Sequence, residues 1–321
     1  MSCRRFDSLG ELPRPFGPCV VTIGNFDGVH AGHRALIRRT IDLAREGACR
    51  AVALTFHPHP TCVVAPQKAP PLLSTIDQRT RMMCHLGLDA VVVLPFTAEI
   101  ARLTAEEFVR LILVDALGAS AVVVGDNFRF GRGAQGHVDT LSAMGAELGF
   151  RTEIAAAVRC RGRVVSSTEV RQSVQRGDVA FAWRMLQRPY ALEGEVVSGA
   201  GVGAKKTVPT LNLSAEAEVL PARGVYITRT HDSAGRVWPS VTNVGYRPTF
   251  GGEHLTIETF LLSALEGDAP RRIRVEFLHR LRDEKKFESP EDLKRQILRD
   301  AARAQEFHGR AARMLQALDS L

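Results

Sequence analysis

The chain has 321 residues, more than a single hydrophobic core usually organises, so two domains are expected. Hydrophobic residues make up 45% of it and charged residues 24%, an ordinary composition for a globular protein. The net charge of +7 comes largely from arginines spread along predicted helices, and a phosphate-bearing small substrate accounts for it as well as a nucleic acid does. Because aromatic residues are scarce, at 6%, and no nucleic-acid-binding motif occurs, we expect no nucleic-acid partner.

Cysteine usage and hydropathy give no sign of export or of a membrane span. The cysteines form no C-x-x-C pair and have no zinc spacing, so we expect incidental thiols in a reduced, cytoplasmic protein. They are Cys3, Cys19, Cys49, Cys62, Cys84 and Cys160. The N-terminus lacks the apolar segment of a signal peptide, and no run of about 18 apolar residues occurs, so we expect no membrane association.

Short β-branched runs alternate with helical patterns through the first half of the chain. The strands are predicted at 19–24, 51–56, 90–96 and 121–126, and the helices at 32–46, 74–87 and 103–118. The third helix begins with a capping box formed by Thr104 and Glu107, and it ends at Gly118. Apolar strands that alternate with helices imply a doubly wound parallel sheet covered on both faces, that is, a Rossmann-like α/β domain.

Near residue 188 the pattern changes to strand-like segments with no helices between them. Glycine and proline punctuate these segments, which lie at 193–199, 224–230, 237–245, 256–262 and 272–282. They predict a small antiparallel β-barrel, followed by one terminal helix that begins at Ser289 and Pro290. We therefore expect one domain at residues 1–186 and a second at residues 187–321.

The stretch "GNFDGVHAGH", residues 24–33, joins the first predicted strand to the first predicted helix. Ligands of open α/β sheets bind at the carboxyl ends of strands, where the next helix offers N–H donors to an anion. The glycines let the backbone approach a nucleotide, and His30 and His33 share one face of a helical turn, from which they can donate to phosphate oxygens. The plain alternative is a glycine-rich turn with surface histidines, and a metal site lacks a third ligand nearby.

The segment "TIGNFDGVHAGH" closely resembles the first motif of the bacterial bifunctional riboflavin kinase/FMN adenylyltransferases, also called FAD synthetases. Its His-x-Gly-His element is the mark of the wider nucleotidylyltransferase superfamily. The resemblance covers nearly the whole chain, because further segments resemble the family's motifs in the same order. These segments are 55–60, 125–141, 165–171, 208–213, 224–230, 242–252 and 281–300.

For the first half, the resemblance implies transfer of AMP from ATP to the phosphate of FMN, which gives FAD and pyrophosphate. His30 and His33 would be catalytic, because this reaction depends on positioning and on stabilising the charge of the leaving pyrophosphate. His57 stands where the family usually carries Asp. The implied ATP- and FMN-binding residues are Gly24, Asn25, Asp27, Gly32, Asn127, Ser167, Thr168 and Arg171.

For the second half, the resemblance implies transfer of phosphate from ATP to the ribityl 5′-hydroxyl of riboflavin. Glu258 would be the catalytic base, and Thr210 and Asn212 would hold Mg2+ through oxygen atoms. The implied ATP- and flavin-binding residues are Gly199, Gly201, Gly203, Pro209, Thr210, Asn212, Asn243 and Arg282.

The second half also departs from the family's pattern. Thr207 and Val208 stand in place of Leu-Gly-Phe before Pro-Thr, Val202 in place of an arginine, and Ser263 in place of an acidic residue. Because the base and the Mg2+ residues are retained, the leading hypothesis is a bifunctional enzyme that uses riboflavin, FMN and ATP, as a monomer or weak homo-oligomer. The alternatives are an FMN adenylyltransferase with an inactive, flavin-binding kinase-like module, and a non-catalytic nucleotide or RNA binder.

Overall fold

The structure is a computed structural model that describes residues 3–197, 210–249 and 252–319. Contacts divide the chain into two compact units, Met1–Ser167 and Thr168–Leu321. This division falls earlier than residue 187, because the helix Val179–Leu186 packs on strands of the second unit. None of the helices in the described ranges is long and apolar enough to cross a membrane.

The first unit is a parallel sheet with helices between its strands. Its strands are β1 (Arg4–Phe6), β2 (Cys19–Ile23), β3 (Arg50–His57), β4 (Ala90–Pro95), β5 (Ala119–Gly125) and β6 (Arg151–Ala155), with a hairpin of β7 (Arg159–Cys160) and β8 (Arg163–Val164). Its helices are α1 (Ala31–Glu46), α2 (Pro60–Val64), α3 (Ile76–Cys84), α4 (Ala98–Arg102), α5 (Ala105–Phe108) and α6 (Val138–Leu148). The strand order is β1-β4-β3-β2-β5-β6, and every neighbouring pair is parallel, which confirms the predicted doubly wound sheet.

Both faces of this sheet are buried, and successive strand residues serve opposite cores. On β2, Val20 packs with Ile37 and Ile41 of α1, whereas Val21 packs in the other core with Ile112. A strand that is covered on both sides is apolar at every position, which is why these strands form continuous apolar runs in the sequence.

The sequence does not reveal the two edge strands, β1 and β6. The first has only three residues, and the second, "RTEIA", is mostly polar. An edge strand has a neighbour on one side only and need not be apolar throughout, so neither segment produces the pattern used for the inner strands.

The predicted capping box at Thr104 is confirmed. Its hydroxyl accepts from the backbone N–H of Glu107 at 3.1 Å, and the Glu107 carboxylate accepts from the Thr104 N–H at 2.8 Å. Within the predicted helix 103–118, however, only α5 is α-helical, and residues Val109–Ala116 continue as a π-helix. Gly118 follows with a φ of +59°, a left-handed conformation that favours glycine at the end of a helix.

Two of the six cysteines are not free thiols, so the expectation of incidental thiols was wrong for them. Cys3 and Cys84 form a disulfide with a Cα–Cα distance of 5.4 Å, and Cys19, Cys49, Cys62 and Cys160 are free. The topology brings them together, because β1 pairs with β4, the strand that follows α3. The residue just before β1 therefore lies beside the end of α3.

The second unit is a closed antiparallel barrel with helices. Its strands are β9 (Tyr190–Val197), β10 (Thr210–Ala215), β11 (Gly224–Asp232), β12 (Val237–Thr249), β13 (Gly252–Leu261) and β14 (Arg272–Arg282), in the order β10-β13-β12-β11-β14-β9. Its helices are α7 (Ser167–Gln175, which starts one residue before the division), α8 (Val179–Leu186) and α9 (Pro290–Asp319). The predicted barrel and terminal helix are confirmed. Strand β10 was not among the predicted strands, although its alternating polar and apolar residues fit a strand with one buried face.

The long helix α9 begins where the sequence predicts and is fixed to the barrel by polar contacts. The Ser289 hydroxyl accepts from the backbone N–H of Asp292 at 3.2 Å. Farther along, the buried carboxylate of Asp300 accepts from Arg282 of β14 at 2.9 Å, and His308 Nε2 contacts the backbone oxygen of Thr228 at 3.0 Å.

The buried carboxylate of Glu276 on β14 lies close to three basic side chains. Arg229 donates to Glu276 at 2.6 Å, Arg274 lies 3.0 Å away and His231 lies 3.2 Å away. Burial alone would raise the pKa of Glu276, but hydrogen bonds from His231 and Arg229 and the charge of Arg274 lower it to about 2. The ionised carboxylate therefore stabilises the barrel.

Reduction of the Cys3–Cys84 disulfide should destabilise the first unit. The disulfide closes a loop with a sequence separation of 81, and a cross-link of this kind contributes about 2–4 kcal/mol, mainly by restricting the unfolded chain. We expect dithiothreitol to lower the melting temperature of this unit by roughly 5–15 °C in calorimetry. Cys3→Ser should melt at the lower temperature with or without reductant, whereas Cys62→Ser should still respond to it. A non-reduced peptide map without the Cys3–Cys84 cross-link would contradict the prediction.

Glu276→Gln should weaken the barrel at neutral pH and flatten its acid response. The pKa of this carboxylate is lowered in the folded state, so its stabilisation is present above the ordinary pKa of about 4.5 and is lost as the pH falls towards 2. We expect a loss of about 1–3 kcal/mol at pH 7. Both tryptophans, Trp183 and Trp238, lie in the second unit, so fluorescence during urea unfolding reports on it. Glu288→Gln, at an exposed carboxylate, is the control, and an equal acid response in both variants would count against this role.

Candidate active sites

A cavity of about 630 Å³ opens at the carboxyl ends of the strands in the first unit. Its lining comes from the loops after β2, β3, β4, β5 and β6. In a parallel sheet these ends all meet at one edge, and the helix that follows each strand starts there. The cavity is therefore built from chain segments far apart in sequence, at the position where α/β sheets bind ligands.

His30 and His33 line this cavity and stack on each other. Their ring centroids are 3.6 Å apart, with planes inclined by 17°. His30 is the N-cap of α1, where its Nδ1 accepts from the backbone N–H of His33 at 3.3 Å. Because an accepting Nδ1 carries no proton, the neutral ring has its proton on Nε2. The neutral His30 ring is thus the Nε2–H tautomer.

His33 is held in its neutral form. Burial lowers its pKa well below the ordinary value, and the neighbouring His30 and the guanidinium of Arg79 lower it further. The edge of its ring also packs against Phe26, with 5.2 Å between the ring centroids. His33 can therefore offer a hydrogen-bond donor to an anion without carrying a permanent charge.

Steric contacts explain why a glycine, Gly32, stands in the His-x-Gly-His element. A Cβ at Gly32 would lie 3.2–3.3 Å from the ring of His30 and 3.7 Å from the backbone oxygen of Val165. A larger residue here would require the His30 ring to shift by a few tenths of an ångström. The first N–H groups of α1, which begins at Ala31, lie beside the pair and add the donors of a helix N-terminus.

Part of the cavity lining is apolar and aromatic. Phe56 and Phe96 meet edge to face at 5.6 Å, and Phe128 stacks on Phe130 at 5.4 Å. These side chains are suited to a planar ring system, because aromatic side chains pack against such rings by stacking and edge contacts. Sequence reasoning did not assign Phe56 and Phe96 to the site. The available signal was that each is the last residue of a predicted strand.

The structure brings most of the predicted adenylyltransferase residues together. Seven line the cavity, namely Gly24, Asn25, His30, Gly32, His33, Asn127 and Ser167. Asp27 does not line the cavity, and its side chain is only 1% exposed. Its carboxylate accepts from the backbone N–H groups of Leu73 and Ser74. Thr168 and Arg171 belong by contact to the second unit, where Thr168 is exposed and Arg171 is buried.

The histidine next to the cavity residue Asn25 is His59, not His57. His57 is exposed and lies outside the cavity lining. The Nδ1 of His59 accepts from the backbone N–H of Thr61 at 3.3 Å. The Nε2 of the same ring lies 3.0 Å from Nδ2 of Asn25. Sequence reasoning singled out His57 and missed His59.

In the second unit, Glu258 lies between two asparagines across three strands. It pairs in register with Asn212 of β10 on one side and with Asn243 of β12 on the other. Its chain neighbours Ile257 and Thr259 are buried in the barrel, so alternation along the strand directs Glu258 to the outer face. Thr210 is two residues before Asn212 and shares this face. The row combines a carboxylate with amide and hydroxyl oxygens.

The oxygen-rich row is compatible with Mg2+, which prefers oxygen ligands and retains several waters. Among the described residues, no group of three or more His, Cys, Asp and Glu side chains could hold a metal ion. A site for this ion would therefore depend on the hydroxyl of Thr210 and the amide oxygen of Asn212, with phosphate oxygens and water as further ligands.

Arg282 is engaged within the protein. Its guanidinium pairs with the buried Asp300 of α9 at 2.8 Å, and so it fixes α9 to β14. Ser263 is exposed just after β13. The remaining predicted kinase positions lie outside the described residues, namely Gly199, Gly201, Val202, Gly203, Thr207, Val208 and Pro209.

The two units together define a class. A parallel α/β domain with a histidine pair at its first strand-to-helix turn, followed by a closed barrel with an amide-flanked carboxylate, is the architecture of a two-domain, nucleotide-using transferase. Comparisons with known proteins give the family. Residues 13–169 match the family model described as FAD synthetase, and residues 186–308 match the one described as riboflavin kinase.

Relatives and a solved structure match almost the whole chain. It is 37% identical over 307 residues to the bifunctional riboflavin kinase/FMN adenylyltransferase of Escherichia coli K12, covering 95% of this chain and 97% of the relative. The Pseudomonas fluorescens protein of the same name is 38% identical over 287 residues, covering 89% and 92%. A crystal structure described as a macrolide-efflux protein from Streptococcus pneumoniae matches with a TM-score of 0.84 and 26% identity, over 95% and 99% of the two chains. The chain belongs to the bifunctional riboflavin kinase/FMN adenylyltransferase family, which confirms the resemblance.

The histidine pair should show its protonation state directly. In nitrogen-15 NMR of histidine-labelled protein, we expect His30 to carry its proton on Nε2 and His33 to stay neutral at the pH where free histidine, with a pKa of about 6.5, is half protonated. Arg79→Met should raise the pKa of His33, because it removes a nearby cation. Arg81→Met, at an exposed cation on the same helix, should leave it unchanged. An unperturbed titration of His33 in the native protein would contradict the enclosed geometry.

Proposed function

We propose that the first unit adenylylates FMN and the second phosphorylates riboflavin, so that one chain makes FMN and then FAD. The observation that carries the adenylyl transfer is the stacked pair of His30 and His33 in a cavity that aromatic side chains also line. We assign adenylyl transfer to residues 1–186, that is, to the first unit together with α7 and α8, and the kinase to residues 187–321. The substrates are riboflavin, FMN and ATP, and we expect the protein to act in the cytoplasm as a monomer or weak homo-oligomer, without nucleic-acid or membrane partners.

In the adenylyl transfer, an oxygen of the FMN phosphate attacks the α-phosphorus of ATP. A new P–O bond forms, the bond to the bridging oxygen breaks, and pyrophosphate leaves with the electron pair. The Nε2–H of His30 and the ring N–H of His33 donate to phosphate oxygens as negative charge grows on them. The N-terminus of α1 supports the same charge, and the Ser167 hydroxyl lines the cavity beside it.

The aromatic part of the cavity lining would bind the flavin ring. Phe56, Phe96 and Phe128 offer faces and edges to a planar heterocycle, while Asn127 lies next to Phe128 and can meet a polar group. With the flavin against these side chains and the triphosphate at the histidines, the two reacting phosphates are held together, which is the main requirement of this chemistry.

In the kinase reaction, the oxygen of the ribityl 5′-hydroxyl attacks the γ-phosphorus of ATP while Glu258 accepts the hydroxyl proton. The bond between the γ-phosphorus and the bridging oxygen breaks, and ADP leaves. Asn212 and Asn243 flank the carboxylate across the sheet and orient it. Thr210 and Asn212 would hold Mg2+, which neutralises charge on the phosphate oxygens when bound. Because Arg282 pairs with Asp300, its role in this unit is to hold α9 against the barrel.

Single substitutions should separate the two activities. We expect His33→Ala to lower FAD formation from FMN by at least ~100-fold, the scale for losing one charge-stabilising donor, while FMN formation from riboflavin continues. Glu258→Ala should lose FMN formation and keep FAD formation from supplied FMN. The measurement is incubation with riboflavin or FMN, ATP and Mg2+, followed by chromatographic separation of the flavins.

Matched controls are available in each unit. His137 caps α6 through its Nδ1 as His30 caps α1, but it lies outside the cavity lining, so His137→Ala should leave FAD formation unchanged and His30→Ala should not. Glu195→Ala, at an exposed carboxylate on β9, is the control for Glu258→Ala. If the native chain makes FAD from FMN but no FMN from riboflavin, the second unit is an inactive flavin-binding module. If it makes neither product, both proposed activities fail.

A further inference from the structure

The turn that carries the histidine pair has an unusual backbone. Phe26 has a φ of +49°, Gly28 of +77° and Val29 of +40°. Left-handed conformations suit glycine, but for a β-branched residue such as Val29 they are genuine outliers. Such a conformation persists only where the surrounding structure imposes it, and it is found most often at functional sites.

The side chain of Asp27 ties this turn to the segment before α3. Both carboxylate oxygens lie 3.1 Å from the backbone nitrogen of Leu73, and one also accepts from the Ser74 N–H at 3.1 Å and the Ser74 hydroxyl at 3.2 Å. The Ser74 Oγ in turn accepts from the backbone N–H of Gly28 at 3.1 Å. A Cβ at Gly28 would come within 2.8 Å of Leu73, so the two segments touch closely.

A buried cation completes the group from the first turns of α3. Arg79 is 2% exposed, and its Nη2 lies 3.5 Å from the Asp27 carboxylate and 3.4 Å from the backbone oxygen of Ser74. Opposite charges buried this deeply depend on each other, because removal of either leaves the other uncompensated. Asp27 also faces the cavity wall through its backbone oxygen, which accepts from the Ser167 hydroxyl at 2.9 Å.

We propose that Asp27, Ser74 and Arg79 are positioning residues for the adenylyl transfer, and that they act from behind the site by fixing the turn on which His30 and His33 stack. Asp27 is three residues before His30 and is absent from the cavity lining, so its carboxylate serves the turn and not the nucleotide. This inference rests on the proposed function of the first unit. A displacement of about 1 Å in catalytic groups can reduce turnover about 100-fold, which gives a positioning network its importance.

Asp27→Asn separates positioning from ligand binding. The amide keeps the size of the side chain, but it removes the charge that pairs with Arg79 and turns an N–H2 group towards backbone N–H donors. We expect kcat for FAD formation to fall about 10- to 100-fold, while the Kd values of ATP and FMN change less than about threefold. An unchanged kcat with a tenfold weaker Kd for ATP would mean that Asp27 contacts the nucleotide, and it would overturn the proposal.

A control variant tests whether the loss of any carboxylate that accepts from a backbone N–H has the same effect. Asp89 accepts from the backbone N–H of Ala51 at 2.8 Å, at the opposite, amino-terminal end of the strands. Asp89→Asn should lower the melting temperature but leave kcat within about twofold. If both variants lose kcat in proportion to their melting temperatures, Asp27 is only structural and the proposal fails.

A double variant tests the coupling. Asp27→Asn combined with Arg79→Met removes the unpaired buried cation, so kcat should recover part of the loss seen in Asp27→Asn alone. Strictly multiplicative losses would show that the two residues do not act together. Should Asp27→Asn fail to fold, Ser74→Ala offers a milder change, with an expected loss of roughly three- to tenfold in kcat and little change in Kd. No loss of kcat in Ser74→Ala would count against the network.

The nitrogen-15 signals of the histidines provide a readout that does not depend on activity. In Asp27→Asn we expect the His30 Nδ1 signal to lose the signature of a hydrogen-bond acceptor as the turn moves, whereas Asp89→Asn should retain it. If the native chain makes no FAD, the proposed function fails, yet these spectra still test the network. An unchanged His30 spectrum in a folded Asp27→Asn protein would refute it.

Discussion

The turn between β2 and α1 adopts a backbone conformation that an unconstrained chain avoids, and the geometry of the first site depends on it. Left-handed Phe26 and Val29 cost about 1–3 kcal/mol each. Both side chains are fully buried in the core beneath the sheet, and that burial is worth about 1.5–3 kcal/mol for a side chain of this kind. Burial of the same two side chains thus offsets the cost of their backbone conformation. The apolar contacts hold the turn from one side, and the Asp27 carboxylate holds it through the segment before α3.

The two units place functional groups by different rules. In the parallel unit, every strand ends at the same edge, so loops that are distant in sequence converge on one cavity. In the barrel, antiparallel register aligns Asn212, Glu258 and Asn243 side by side across three strands. The first arrangement encloses a ligand with loops, and the second presents a short polar row on an outer face.

Much of the fold could be predicted because burial is visible in sequence. The inner strands of the parallel sheet are covered on both faces and form unbroken apolar runs, whereas β1 and β6 lie at the edges and leave no such run. The π-helix at Val109–Ala116 follows a correctly predicted helix start. Eight residues, six of them apolar, are too few to distinguish a π-helical from an α-helical period. The disulfide between Cys3 and Cys84 requires knowing that β1 pairs with β4, which no local pattern contains.

The site was predictable where its geometry is local. The spacing of His30 and His33 within one helical turn predicted that they would lie together, and they stack. The contacts of Asp27, in contrast, are not local. A carboxylate among glycines resembles a ligand in sequence, but its partners lie 46 residues or more away, at the start of another helix. Likewise, only the course of the chain after β3 decides that His59 contacts Asn25 while His57 points to solvent.

The chemistry of each proposed step accounts for the groups found at its site. The phosphate that attacks in adenylyl transfer is already ionised, so this site needs donors and no base. A neutral His33, with its pKa lowered by burial, by His30 and by Arg79, provides a donor without holding the pyrophosphate product as a permanent cation would. The ribityl hydroxyl, in contrast, must lose a proton, and a carboxylate held between two amides can accept it. The differing protonation requirements of the two attacking oxygens thus explain why one unit presents histidines and the other a glutamate.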